Sequence, residues 1–204
     1  MFCDNYEKLL EQLQSRGFTT HSAANGEEAK ALVLELIGSC SAGFGGSVTV
    51  NSLGIPAALR EKGNDIFFHW DEKPENRPAT FKKAASADWY VCSTNALTRT
   101  AKLVNIDGNG NRVAAMFNGP KNVAIVIGKN KLTDDLESAY KRAKEVACVK
   151  NAQRFALKTP CAVSGKCVDC HSPQRLCSVT VVIEQKPKFV EQMHLILVDE
   201  ELGF

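Results

Sequence analysis

The chain has 204 residues, with 25 Lys plus Arg against 23 Asp plus Glu, for a formal charge of +2. That balance, with no stripe of interleaved aromatic and basic residues, excludes an obvious nucleic-acid surface, and no apolar run approaches the roughly 18 residues of a membrane span. A composition that is 44% hydrophobic and 24% charged fits an ordinary globular protein of one domain, expected to run over 1–204. The acidic residues near the start leave no secretory signal visible, so a cytoplasmic protein with reduced thiols is expected.

Tyr6, Leu9, Leu10 and Leu13 repeat at helical spacing, with Gly17 as a stop. Phe18 to Ala23 reads as a short strand. Asn25 is placed to cap a second helix with Glu28 reaching back in a capping box, and Gly38 closes that helix. The small-residue stretch CSAGFGGSVTVNSLGI then reads as a strand, a glycine turn and a helix. IFFHW (66–70) reads as a buried strand, PENRPATFKKAASA as a polar connection into a short helix, and DWYVCST (88–94) as another strand.

In LVNIDGNGNRVAAMF, two strand-like runs flank Asp107-Gly108-Asn109-Gly110, which predicts a hairpin. NVAIVIG (122–128) is the continuous apolar run of a strand covered on both faces. Thr133 is expected to cap the longest helix, over about 134–157. Acids in its first turn and Lys150, Arg154 and Lys158 toward its end favour its dipole on a solvated face. SVTVVIEQ and HLILVDE are the closing strands. Strands alternating with helices predict a three-layer, Rossmann-like α/β domain with a β-hairpin insertion and a small cysteine-rich loop at about 160–178.

That loop, CAVSGKCVDCHSPQRLC, holds four of the eight cysteines. Its Cys-x2-Cys pair can turn two thiolates toward one centre, and Gly165 and Pro173 provide turns that would bring Cys161 and Cys177 to join Cys167 and Cys170. Four thiolates suit either tetrahedral zinc or a four-iron four-sulfur cluster, and the spacing leaves the choice open. Free cysteines also occur as small buried hydrophobes, but a polar, turn-rich loop offers little core for them to join. Cys40 and Cys92, in strand-like runs, are read as packing residues. Cys148 falls on the long helix and Cys3 near the start, and no catalytic residue is assigned.

A second candidate site is an anion pocket. Gly43, Gly45, Gly46 and Ser47 follow a strand and precede a helix, where the backbone can approach a phosphate or carboxylate. Ser93, Thr94 and Asn95 follow another strand, at the end where open α/β sheets bind ligands. Neither a Walker motif nor the dinucleotide fingerprint is present. The same residues also serve as turn and cap formers.

Taken together, FGGSVT, STNALTRTAKLVNIDGNGNRVAAMFNGPKNVAIVIGKNKL, PCAVSGKCVDCHSPQRLC and LILVDEELGF resemble the LUD domain, named for lactate utilisation. The resemblance covers most of the chain, is strongest from Trp89 onward, and is to the short, single-domain branch with the cysteine motif. It implies a fold like that of ribose-5-phosphate isomerase, glucosamine-6-phosphate deaminase and CoA transferases. It also implies a bacterial or archaeal source and a link to oxidation of lactate to pyruvate in systems that use iron–sulfur proteins. One departure is Ala101, where glycine is expected in much of the wider family.

Three functions are compatible with this reading. The first is an iron–sulfur-carrying accessory in oxidation of lactate or a related 2-hydroxy acid, working with other lactate-oxidation subunits. The second is a zinc-stapled scaffold or anion-binding domain. The third is an isomerase- or transferase-like enzyme acting on a phosphorylated or CoA-linked metabolite. The small-molecule partner expected is a small anionic metabolite, a carboxylate or phosphate; in the scaffold reading the partner is another subunit.

Overall fold

A computed structural model describes residues 5–204, so Cys3 lies outside the described residues. Six parallel strands form the main sheet: β1 (Thr19–Ala23), β2 (Ala42–Phe44), β3 (Ile66–Phe68), β4 (Trp89–Cys92), β7 (Asn122–Gly128) and β10 (Gln192–Val198), in the order β1-β10-β7-β4-β2-β3. A second sheet has the order β8-β5-β6-β9, from β5 (Ala96–Thr98), β6 (Leu103–Asp107), β8 (Leu132–Thr133) and β9 (Val179–Ile183).

Period-2 alternation in the central strands explains why both faces of the main sheet are covered. Val123, Ile125 and Ile127 of β7 enter one core and Ala124 and Val126 the other, and Leu195/Leu197 and Ile196/Val198 of β10 divide in the same way. One face is covered by α2 (Gly26–Ile37), α3 (Val48–Ser52) and α4 (Ile55–Glu61), through Ala29, Val33, Val50, Ile55 and Leu59. The other core takes Leu9 and Leu13 of α1 (Asn5–Ser15) and also Leu97, Leu103 and Ile183 of the second sheet. The architecture is therefore a Rossmann-like α/β fold in which a small sheet supplies much of one flanking layer. Among the described residues, no helix is long and apolar enough to cross a membrane.

Several local expectations change. The segment around Asp107–Gly110 is not a hairpin: β6 ends there, and Asn111–Ala115 is a short helix, α6. Asp107 explains the switch, since Oδ1 accepts from Gly108 N at 2.9 Å and Oδ2 from Arg112 N at 3.1 Å and Val113 N at 3.2 Å. The side chain thus satisfies free donors at the start of α6. The antiparallel hairpin lies earlier, between β5 and β6, with Ala96 opposite Val104. Its turn holds buried Ala101 at φ 60°, in the left-handed region that favours glycine. Ala101 is absent from the lining of the cavity described below. At this position, then, a glycine would answer to turn geometry.

The long helix is capped by Asp135, not Thr133. Asp135 Oδ1 accepts from Ser138 N at 2.8 Å, and Ser138 Oγ accepts from Asp135 N at 3.0 Å, a reciprocal box. Thr133 pairs with Thr98 in the second sheet instead. The helix runs as α7 (Leu136–Arg142), a π turn (Ala143–Ala147) and α8 (Cys148–Arg154). Α5 (Arg77–Ala85) precedes β4 as expected. At α2, Glu28 reaches Ala24 N at 2.8 Å, one residue before the cap, while Asn25 Oδ1 accepts from Glu28 N at 3.0 Å. The strand in IFFHW lies on the sheet edge, with Ile66 and Phe67 partly buried, and ends at buried Phe68; His69–Asp71 form a 3-10 turn. Cys92 is buried, but Cys40 is exposed in the bend before β2, so only Cys92 packs in a core.

Candidate functional site: a cationic cavity at the strand ends

Strands β3, β2, β4 and β7 lie side by side and parallel, so the segments leaving them emerge at one edge of the sheet. These segments meet at a cavity of about 170 Å³. Gly46 and Ser47 come from the end of β2, His69 and Trp70 from β3, Ser93 to Asn95 from β4, and Lys131 from β7. The wall is completed by Asp107 and Arg112 at the start of α6 and by Cys148, Arg154 and Phe155 from α8 and its end. The carboxyl end of parallel strands is where this class of sheet places ligands.

Lys131 is the centre of the site. It is 3% exposed, and its Nζ lies 2.8 Å from Thr49 Oγ1 and 2.7 Å from Ser93 Oγ. Both hydroxyls give their own hydrogens to carbonyls: Ser93 to Val126 O at 2.6 Å, and Thr49 to Leu202 O at 3.2 Å. Each can only accept from Lys131, so the lysine donates twice. Burial, followed by the charges of Arg142 and Arg112, pushes its pKa down to about 7.

Arg112, 8% exposed, works as a clamp. Its Nη1 donates to Ser93 O at 3.0 Å and Asn105 Oδ1 at 2.6 Å, and its Nη2 to Asn95 Oδ1 at 3.1 Å and Ile106 O at 2.8 Å. The four Nη hydrogens are thereby committed to holding the segment after β4 against β6. Arg142 adds bonds to Asn95 O and, at 2.8 Å, to Asn130 O. Among the described residues, no carboxylate is ion-paired with Lys131, Arg112, Arg142 or Arg154. Asp107, the one acidic side chain on the wall, is occupied by backbone donors. Among the described residues, the wall thus sets three basic side chains, Lys131, Arg112 and Arg154, against the single acidic side chain Asp107, with no ion pair between them.

At the rim, the Arg154 guanidinium lies 4.7 Å from the Trp70 ring centroid and 4.0 Å from that of Phe155, a cation–π sandwich. His69 packs against Phe81 with centroids 4.7 Å apart. Burial, and then Arg77, lower its pKa.

Of the residues singled out in the sequence, Gly46, Ser47, Ser93, Thr94 and Asn95 lie on the cavity wall, whereas Gly43 and Gly45 do not. Gly43 sits where β2 meets α5, and a Cβ there would fall 2.1 Å from Ala84 O. A Cβ on Gly45 would fall 2.9 Å from both Arg112 Cγ and the Tyr90 hydroxyl. Gly45 thus makes room for the Arg112 clamp. The Ser47 hydroxyl is engaged as the cap of α3, accepting from Val50 N at 3.2 Å. Sequence reasoning missed Lys131, Arg112 and Trp70, and treated Arg154 only as a helix-end charge on a solvated face. Only one signal pointed to Lys131: a lysine three residues beyond an apolar central strand.

The cysteine loop stands beside this cavity. Α9 (Pro160–Ser164) starts it, and Gly165 at φ 73° ends that helix. Cys161, Cys167, Cys170 and Cys177 are all partly buried. Arg175 ties the loop by donating to Cys170 O at 2.6 Å and Cys177 O at 3.1 Å, and Asp169 joins it to the long helix through Lys144 at 2.8 Å. Cys177 and Cys148 pack against the same small cluster of Val104, Ala139 and Ala143. Burial, and then Cys177, push the Cys148 thiol up to about 12. Among the described residues, no three Cys, His, Asp or Glu side chains converge where a metal ion could be held. A metal at the four cysteines therefore rests on their spacing, and no chemical step is derived through it.

The sheet and cavity define an α/β protein with a ligand pocket at the carboxyl ends of its parallel strands. Residues 6–198 match the family model of the LUD domain, and the chain belongs to that family. No curated protein matches the chain. Among solved structures it is similar to a DUF162 family protein from Deinococcus radiodurans, at a TM-score of 0.56 and 11% identity over 96% of each chain. Likeness at that identity shows the fold alone.

Proposed function

We propose that this LUD-domain protein binds a small anionic metabolite in the strand-end cavity and serves in oxidation of lactate or a related 2-hydroxy acid. The observation that carries the anion reading is Lys131: a buried amine donating to two neutral hydroxyls, beside a buried arginine, with no carboxylate paired to either. A carboxylate or phosphate entering the cavity would supply the missing charge. The link to lactate rests on family membership. The finer kinship to the ribose-5-phosphate isomerase, glucosamine-6-phosphate deaminase and CoA-transferase fold belongs to the same proposal, as do a single cytoplasmic domain and assembly with other lactate-oxidation subunits.

In this reading Cys161, Cys167, Cys170 and Cys177 hold a four-iron four-sulfur cluster, which would supply one-electron transfer; structural zinc is the alternative. The loop stands against the cavity wall, because Leu176 lines the cavity, and Cys148, also on that wall, packs against the same small cluster as Cys177.

Two measurements test the proposal. Thermal melting of the full chain with lactate, pyruvate or phosphate should show stabilisation that Lys131→Met removes; no shift with any of them would overturn the anion reading. Purification without oxygen, with a visible spectrum and iron, sulfide and zinc content, should give a brown protein. A colourless chain holding one zinc would leave the loop a structural staple.

A further inference from the structure

We propose that Lys131 is an imine-forming residue and that the ligand of the cavity is a carbonyl compound bearing an acid group, a small 2-oxo acid. The inference rests on the anion reading above and adds a covalent step to it.

Ser93 Oγ and Thr49 Oγ1 spend their hydrogens on Val126 O and Leu202 O. Each therefore presents a lone pair to Lys131 Nζ, at 2.7 and 2.8 Å. A neutral amine has two hydrogens, and both are consumed by these acceptors. Its lone pair is the one position on nitrogen that no protein group engages, and the residue lies on the cavity wall. The two hydroxyls thus hold the amine as a nucleophile rather than as half of an ion pair. Burial, and then the charges of Arg142 and Arg112, favour the unprotonated form, and a buried lysine beside other cations is a recognised way to activate an amine.

The same surroundings select the electrophile. A cavity of about 170 Å³ admits a three-carbon acid. Arg112 and, at the rim, Arg154 supply the positive potential that draws a carboxylate in. The lysine lone pair would add to the ketone carbon, and the carbonyl oxygen would take up protons and leave as water. A carbon–nitrogen double bond results, with no change of oxidation state.

The test is reductive trapping on the full chain. The protein is incubated at pH 7.5 with pyruvate and cyanoborohydride, digested, and each lysine peptide is weighed. Lys131 should gain the mass of pyruvic acid less one oxygen atom. A surface lysine is almost wholly protonated at this pH, so labelling at Lys131 should exceed the average of the others by roughly 100-fold. Lys131→Arg, which cannot form an imine, should abolish the selective label, and denaturing the chain before trapping should erase the preference. Acetone, the same ketone without the acid, should label Lys131 weakly.

Pyruvate that raises the melting temperature without labelling Lys131 would overturn the imine and leave the anion site standing. Strong labelling by acetone as well as pyruvate would support the imine and sink the anion reading. Neither labelling nor a thermal shift would overturn both.

Discussion

Across the β1–β10 pair, the rings of His21 and His194 meet edge to edge at an interplanar angle of 15°, 5.1 Å between centroids, with His21 Nε2 2.8 Å from His194 Nδ1. Gln192 Oε1, 2.8 Å from His194 Nε2, can only accept. Neutral His194 therefore carries its proton on Nε2, and His21 donates to its Nδ1. A proton on Nδ1 would set donor against donor. Burial, and then His21, push His194 down to about 4, and burial lowers His21.

The sign of the stability effect follows. A histidine whose pKa is lower folded than unfolded binds fewer protons when folded, so stability is complete above about pH 6.5 and declines as pH falls toward about 4. The decline should approach 1.4 kcal/mol per pH unit at most for each histidine. Urea unfolding at pH 7, 6 and 5 should show it, and His194→Asn should flatten it. Asp88 and Asp199, whose carboxyls are held below their ordinary value, lose their contribution only at lower pH. An unchanged slope in the variant would discount the pair.

Lys131 predicts a trend of the same sign at higher pH. Its pKa is about 7 when folded and about 10.4 when unfolded, so folding releases a proton in that window and stability rises with pH through it. Lys131→Met, which has no proton to release, should be more stable than the parent at pH 7 in ligand-free buffer, by roughly 1 to 3 kcal/mol. The advantage should shrink as pH approaches about 10. A variant less stable than the parent at pH 7 would contradict the cost assigned to this buried amine.

Gly43, inside β2, and Gly46, just beyond it, should respond differently to alanine. Gly43→Ala drives a methyl into the Ala84 backbone and should cost about 3 kcal/mol or more, because α5 must move off the sheet. Gly46→Ala meets only side chains, Trp70 at 3.3 Å and His69 at 3.5 Å, and should leave the melting temperature within a few degrees. At the cavity it should weaken binding. A ligand at a hundred times its Kd stabilises the parent by about 2.7 kcal/mol, and the variant should lose much of that. Equal ligand-induced shifts in the two proteins would remove Gly46 from the site.

Replacing Cys167 and Cys170 by alanine should release whatever metal the loop binds. The core should be affected little, because both side chains lie outside the three hydrophobic clusters. Metal content measured before and after the change decides the matter. Retention of full content by the double variant would end the assignment to these cysteines.

Much of this was legible in the linear chain because it depended on local rules. NVAIVIG could only be a strand covered on both faces, and Asn25 with Gly38 bracketed α2 correctly. STN after β4 and GGS after β2 follow strands that turned out to be neighbours, so their shared wall follows from parallel pairing. The segment LVNIDGNGNRVAAMF misled because its turn residues suit a hairpin and a helix start equally. Asp107 settles the choice by side-chain bonds to three backbone amides, and turn chemistry alone does not fix where a side chain will bond.

By itself the sequence determined the alternation of strands and helices, the apolar central strands and the cysteine spacing, since each is set by residues close together in the chain. Tertiary structure alone decided that Lys131 should stand 38 positions away from Ser93 in sequence yet 2.7 Å from its hydroxyl, and that Arg112 should tie β6 to the end of β4. It also replaced part of a helical layer with a second sheet. An unpaired buried charge has no signature in a linear chain: a lysine becomes unusual only when folding removes its water and supplies no carboxylate in return.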